Sequence, residues 1–112
     1  MRRSTVRARR APEMLRALAD PQRIAILRLV RSRELPAGEI AGHFATTRQA
    51  VSQNLRLLAE AGLVDLRRAG TRRLYKANTA AFDELRSFLD AFWDDRLVAL
   101  KRAVEDGGRK SP

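Results

Sequence analysis

The residues with most to offer chemically lie close together: Thr46, Thr47, Arg48, Gln49, Ser52, Gln53 and Arg56. At helical spacing they share one side, while Ala50, Val51, Leu55 and Leu58 turn to the other. A guanidinium at Arg48 presents a fork of donors that matches guanine O6 and N7. The carboxamides of Gln49 and Gln53 match adenine N6 and N7, and the Ser52 hydroxyl suits a base edge or a phosphate. Arg48, Gln49, Ser52 and Gln53 are therefore the candidate base readers. Thr46, Thr47 and Arg56 suit backbone phosphates, helped by the free amides of a helix N-terminus. A solvated polar face has the same composition, so the neighbouring elements must decide.

The next basic group is denser. Arg67, Arg68, Arg72, Arg73 and Lys76 carry +5 over residues 66–76, with no acid among them. Two alternating runs, Leu63 to Arg67 and Arg73 to Lys76, flank Ala69-Gly70 and read as a β-hairpin, with Val64 and Leu66 on one face. Beside a helix that enters a major groove, such a hairpin meets the DNA backbone or minor groove. The alternative is a basic strand edge that resists aggregation.

Several elements must hold these groups. A first helix begins near Pro12 and carries Met14, Leu15 and Leu18. Asp20-Pro21 supplies a cap and a first helical residue for a second helix, with Ile24, Leu27 and Val30 on its apolar face and Arg23, Arg28 and Arg31 on the other. It ends near Arg33, ahead of Leu35-Pro36. A short helix from Ala37 to Phe44 follows. Thr47 caps the polar-faced helix, and Ala61-Gly62 closes it. Asn78 or Thr79 caps a long last helix from Ala80 to Glu105. Its stripe of Phe82, Leu85, Leu89, Phe92, Trp93, Leu97, Leu100 and Val104 exceeds what so small a body can cover, which points to burial against a second copy.

The chain has 112 residues, the size of one domain, and a net charge of +10. A polyanionic partner follows: nucleic acid first, an acidic membrane surface second. The charge is uneven. Residues 1–10 hold +5, 11–65 hold +1 and 77–106 hold −3, so the hairpin edge is the basic side of the domain. We read residues 1–11 as a basic flexible arm, 12–106 as the folded domain and 107–112 as a disordered tail. The arm either tracks phosphates or serves solubility. With no cysteine, disulfides, thiolate metal sites and cysteine nucleophiles are absent. No apolar run approaches the ~18–20 residues of a membrane span, and no apolar stretch follows the Arg-rich start, so a cytoplasmic chain with no membrane partner is expected.

The order of elements is that of a winged helix-turn-helix: mainly α, with a two-stranded β-hairpin wing. The sequence resembles the ArsR/SmtB-type repressors. The likeness lies in Ala17 to Leu27, Gly38 to Ala41, Gln49 to Leu55, Leu58 to Val64 and Arg73-Leu74-Tyr75. It implies a homodimeric DNA-binding repressor, often acting on its own operon, with its first and last helices at the dimer interface. Met14, Leu15, Leu18, Phe82, Leu85, Leu89, Phe92, Trp93, Leu97 and Leu100 are the residues this implies.

Many members of that family sense metals through cysteines on the short helix or Asp/His pairs on the last. Here Glu34 to Ile40 lacks cysteine, and the last helix has Asp90, Asp94 and Asp95 without histidine. The one histidine, His43, reads as a surface ion pair with Glu39. No metal site and no cofactor are expected. The chain looks closer to the metal-independent branch, some of whose members carry a Trp-x-x-Arg-Leu pattern matched by Trp93 to Leu97. Asn54 stands where the family often has a histidine. Phe92 and Trp93 are either dimer core or the lining of an effector pocket. Nothing forms an active site, so the chain is not expected to be an enzyme. The function expected is sequence-specific transcriptional regulation, by a homodimeric repressor on an imperfect palindrome. The alternatives are a winged-helix protein-interaction module and a metal-responsive repressor.

Overall fold

Asp20 sets the first junction of the fold. Its backbone is extended, and its Oδ1 accepts hydrogen bonds from the amides of Gln22 at 2.8 Å and Arg23 at 3.2 Å. Pro21 then occupies the first helical position, where a missing N–H costs nothing. The computed structural model describes residues 2–92 and 98–110, with side chains for residues 10–92 and 100–106. Its elements are α1 (Arg2–Ala17), α2 (Pro21–Leu29), β1 (Leu35–Pro36), α3 (Ala37–Ala41), α4 (Arg48–Glu60), β2 (Val64–Ala69), β3 (Arg72–Ala77), α5 (Thr79–Phe92) and α6 (Val98–Lys110).

α1 begins at Arg2, ahead of the start expected near Pro12, and carries Pro12 inside it. The segment read as an arm is therefore part of a helix. Ala11 is buried and Arg10 reaches Glu84 of α5 at 3.8 Å, so the turn before Pro12 packs on the body. That packing outweighs the one helical hydrogen bond Pro12 cannot donate.

α2 stops at Leu29 rather than near Arg33. The cause is non-local: the Val30 carbonyl accepts from the Ala77 amide at 3.0 Å, which draws the chain off the helix axis toward β3. Leu35-Pro36 does more than forbid a helix. It forms a third strand, giving the order β1-β3-β2 with all pairs antiparallel. Pro36 is tolerated because β1 is an edge strand, and Leu35 is buried.

α4 is capped as expected, with Thr47 Oγ1 accepting from the Ala50 amide at 3.1 Å. At its other end Gly62 takes φ +79°, the Leu63 amide reaches the Leu58 carbonyl at 2.9 Å, and the Gly62 amide reaches Ala59 at 3.0 Å. This paired closure needs a left-handed residue. Space also matters there, because a Cβ on Gly62 would lie 1.9 Å from Arg10 Nη2. The β2–β3 turn is Gly70-Thr71, with Gly70 at φ +66°. Asn78 caps α5 through the Ala81 amide at 3.0 Å and donates to Asp65 at 3.1 Å.

The core gathers around Met14, Ile26, Val30, Ile40, Val51, Leu55, Leu58 and Leu63. Residues 93–97, the middle of the single last helix expected over Ala80 to Glu105, lie outside the described residues. α6 continues to Lys110, past the expected tail boundary, through Gly107 and Gly108. Glycine costs a helix about 1 kcal/mol and does not forbid it. No described helix is long and apolar enough to cross a membrane.

Candidate nucleic-acid interface

The apolar stripe of α4 goes into the core through Val51, Leu55 and Leu58, which leaves the opposite side outward. Thr46, Thr47, Arg48, Gln49, Ser52, Gln53 and Arg56 are all exposed. Ser52, Gln53 and Arg56 share the wall of a groove of about 640 Å³ between α4 and the wing, and Arg73 comes into it from β3. Its apolar floor includes Leu66 and Tyr75. Leu66 shares a face with Val64, as expected, but is 45% exposed because that face outruns the helix it packs against. Arg48 lies elsewhere. Its guanidinium passes over Gly38 of α3, where a Cβ would come within 2.9 Å of Nη2. Arg56 pairs with Glu60 at 3.6 Å on the open surface, an interaction worth little in water.

The strand register sorts the wing bases into two sets. Arg68 stands directly opposite Arg73, on the face shared with Leu66 and Tyr75. Neither has an ion-pair partner among the described residues. Arg67, Arg72 and Lys76 lie on the other face. There Arg67 donates to both carboxylate oxygens of Glu34, at 2.9 and 2.8 Å. That hydrogen bonding holds the Glu34 carboxyl below its ordinary range, aided by the charges of Arg67 and Lys76, and pushes Arg67 up. Arg72 reaches Glu39 of α3 at 3.8 Å. The five bases read as one uniform phosphate-binding set thus divide: Arg67 is held by a carboxylate, and Arg72 is loosely engaged by one. Glu39, expected beside His43, instead faces Arg72.

One polar cluster escaped the sequence reading. Arg23, assigned to the open side of α2, turns inward. Its Nε donates to the Ala17 carbonyl at 2.7 Å, Nη2 to the Arg16 carbonyl at 3.4 Å and Nη1 to Asn54 Oδ1 at 3.1 Å. Asn54 Nδ2 in turn donates to Gln22 Oε1. The C-terminal end of α1 is thereby tied to the middle of α4. The only available signal was Asn54 itself, a polar residue between outward Gln53 and inward Leu55.

The residues assigned to a dimer interface also separate. Met14 and Leu85 are buried inside the chain, at 0% and 6% exposure, so they have no surface to offer a partner. Leu18 and Phe82 are half-buried against the same core. Leu15, Leu89, Phe92 and Leu100 are exposed, and Val104, left out of the interface set, is more exposed than any of these four. Phe92 meets Phe88 edge to face at 5.1 Å. Trp93 and Leu97 lie outside the described residues. No group of three or more potential metal ligands occurs among the described residues.

Comparison with known proteins fits this geometry. A helix-turn-helix domain family matches residues 18–67. The chain is 39% identical to the HTH-type transcriptional regulator Rv2034 of Mycobacterium tuberculosis, over 82% of its own length and 86% of the relative's. It is 31% identical to the arsenical resistance operon repressor of Staphylococcus xylosus, over 69% of this chain and 74% of that one. Among solved structures it is similar to the homodimeric winged helix-turn-helix DNA-binding domain of a possible ArsR-family regulator from Mycobacterium bovis. That match has a TM-score of 0.60 and 32% identity, and covers 79% of this chain and 82% of the other.

Proposed function

The chain belongs to the ArsR-type winged helix-turn-helix transcriptional regulators, and from that membership we propose a homodimeric repressor that reads an imperfect palindrome beside a promoter. The observation that carries the reading is the Arg68–Arg73 pair. Like charges directly opposite one another across a ladder cost stability. A phosphate backbone running beside the wing supplies the missing negative charge. Arg73 also enters the groove that holds Ser52, Gln53 and Arg56, so one duplex can meet both elements.

The roles follow from chemistry. Arg48, Gln49, Ser52 and Gln53 read base edges in the major groove. Thr46, Thr47, Arg56, Arg68, Arg73 and Lys76 contact the sugar–phosphate backbone, with lesser parts for Arg67 and Arg72. The exposed Leu15, Leu89, Phe92 and Leu100 cover one another across a two-fold axis, because an apolar face this open is buried most readily against its own copy. The dimer then sets two recognition helices on successive major grooves and excludes polymerase from an overlapping promoter. The site of action is the cytoplasm.

Selection of bound duplexes from a random pool tests the proposal. The enriched sites should contain two related half-sites about 34–36 Å apart, or a multiple of one helical turn. Gln53→Ala should relax the preference at one base position, by about 1–3 kcal/mol of discrimination. A pool that stays random after repeated rounds would reject sequence-specific regulation by this surface and leave a protein-interaction module.

A further inference from the structure

Away from the DNA-reading elements, a second concavity of about 420 Å³ opens between α2 and the first turns of α5. Leu18, Ile24, Leu27 and Phe82 form its floor and walls. On α2 the lining residues Ile24, Leu27 and Arg28 recur at i, i+3 and i+4, and Arg31 follows two residues past the helix end, so the slot lining passes from apolar to cationic. Arg28 and Arg31 are exposed at its rim, and neither has a hydrogen-bond or ion-pair partner among the described residues. The one carboxylate lining it is Asp83, so the rim keeps an excess of positive charge.

We infer that this slot is a binding site for a small amphipathic anion: an acyl or aryl carboxylate whose apolar body lies on Ile24, Leu27 and Phe82 and whose head meets Arg28 and Arg31. The volume falls within the range of small-molecule pockets. The apolar floor favours a hydrocarbon body through area removed from water. The paired guanidiniums favour a carboxylate over a neutral head, because a charge-assisted hydrogen bond is about twice as strong as a neutral one. A hollow lined on both sides differs from the outward-projecting Leu89, Phe92 and Leu100, which suit a flat helix-on-helix contact.

The probe is octanoate, with octan-1-ol as a neutral control of matched length, titrated by calorimetry into the full chain without DNA. Octanoate should bind about tenfold or more tightly than octan-1-ol, and Arg28→Ala/Arg31→Ala should remove that preference while leaving the alcohol unchanged. Ile24→Trp, which fills the slot from an exposed position, should weaken both. Sedimentation with saturating octanoate should leave the oligomeric state as it was. Equal affinity for acid and alcohol, full octanoate binding by the double Arg variant, or no binding up to about 1 mM would overturn the inference. Dissociation of a dimer by octanoate would do the same, by making the slot part of the subunit interface. Because binding is read without DNA, failure here leaves the DNA proposal standing.

Discussion

On one face of the wing Arg68 stands opposite Arg73; on the other, Arg67 is locked to Glu34 and Arg72 leans toward Glu39. All four have the same side chain, lie within six residues of one another and contribute equally to the net charge. They differ in what faces them from elsewhere in the chain. Glu34 precedes the edge strand β1 and Glu39 lies on α3, so two acids distant in sequence engage Arg67 and Arg72 on one face, while Arg68 and Arg73 on the other meet none among the described residues. A run of arginines therefore measures how much charge a segment has. How much of it a ligand can use depends on the acids brought alongside by the fold.

The largest effect expected is the contrast between the two faces, read by fluorescence anisotropy on a selected duplex across a salt series. Arg68→Ala/Arg73→Ala should weaken binding on the order of fiftyfold near 0.1 M salt and reduce the salt slope by about two, the signature of two lost phosphate contacts. Its thermal midpoint should hold or rise slightly, since a like-charge pair is removed. Arg67→Ala should cost no more than about threefold, because its charge is already spent on Glu34. Equal losses from the two faces would abolish the distinction.

A smaller effect, of opposite sign, should come from Glu34→Gln. Releasing Arg67 restores a free cation to the wing, so DNA affinity should rise about two- to threefold. Unchanged affinity would mean that Arg67 cannot reach the duplex even when released.

The smallest effect is a titration. Because Arg67 lowers the Glu34 carboxyl below its ordinary 4.5, the ion pair contributes fully above that value and is lost as the pH falls through the lowered one. Carboxyl-detected NMR should therefore find Glu34 charged at a pH where free glutamate is half protonated. In Arg67→Ala it should titrate nearer the ordinary value. An identical midpoint in both proteins would mean that the bidentate contact does not persist in solution.

Much of the architecture was legible because its signals are local. Asp20, Thr47 and Asn78 cap amides two or three residues ahead, and Gly62 closes α4 onto carbonyls of the preceding turn. The outward set on α4 was legible for the same reason, since periodicity separates Gln53 from Leu55 without reference to the rest of the chain. Most of the misreadings involve distant partners. Arg23 meets Asn54 across 31 positions and Arg67 meets Glu34 across 33. Met14 and Leu85 satisfy the apolar stripe as expected, but the stripe does not say whether the core or a second subunit covers them. The β1 strand is two residues long, too short to carry a pattern of its own.

By itself, then, the sequence determined the order of the first four helices and the hairpin, the caps that begin α2, α4 and α5, the close of α4, its polar face and the amount of charge in the wing. These rest on hydrogen bonds and periodicities that close within a turn or two. Tertiary structure alone decided which arginines remain available, which apolar residues fill the core rather than face outward, and that α1 and α4 are tied through Arg23 and Asn54. Those outcomes depend on groups separated by tens of residues, whose meeting is fixed only when the core forms and brings α1, α2, α4 and the sheet together.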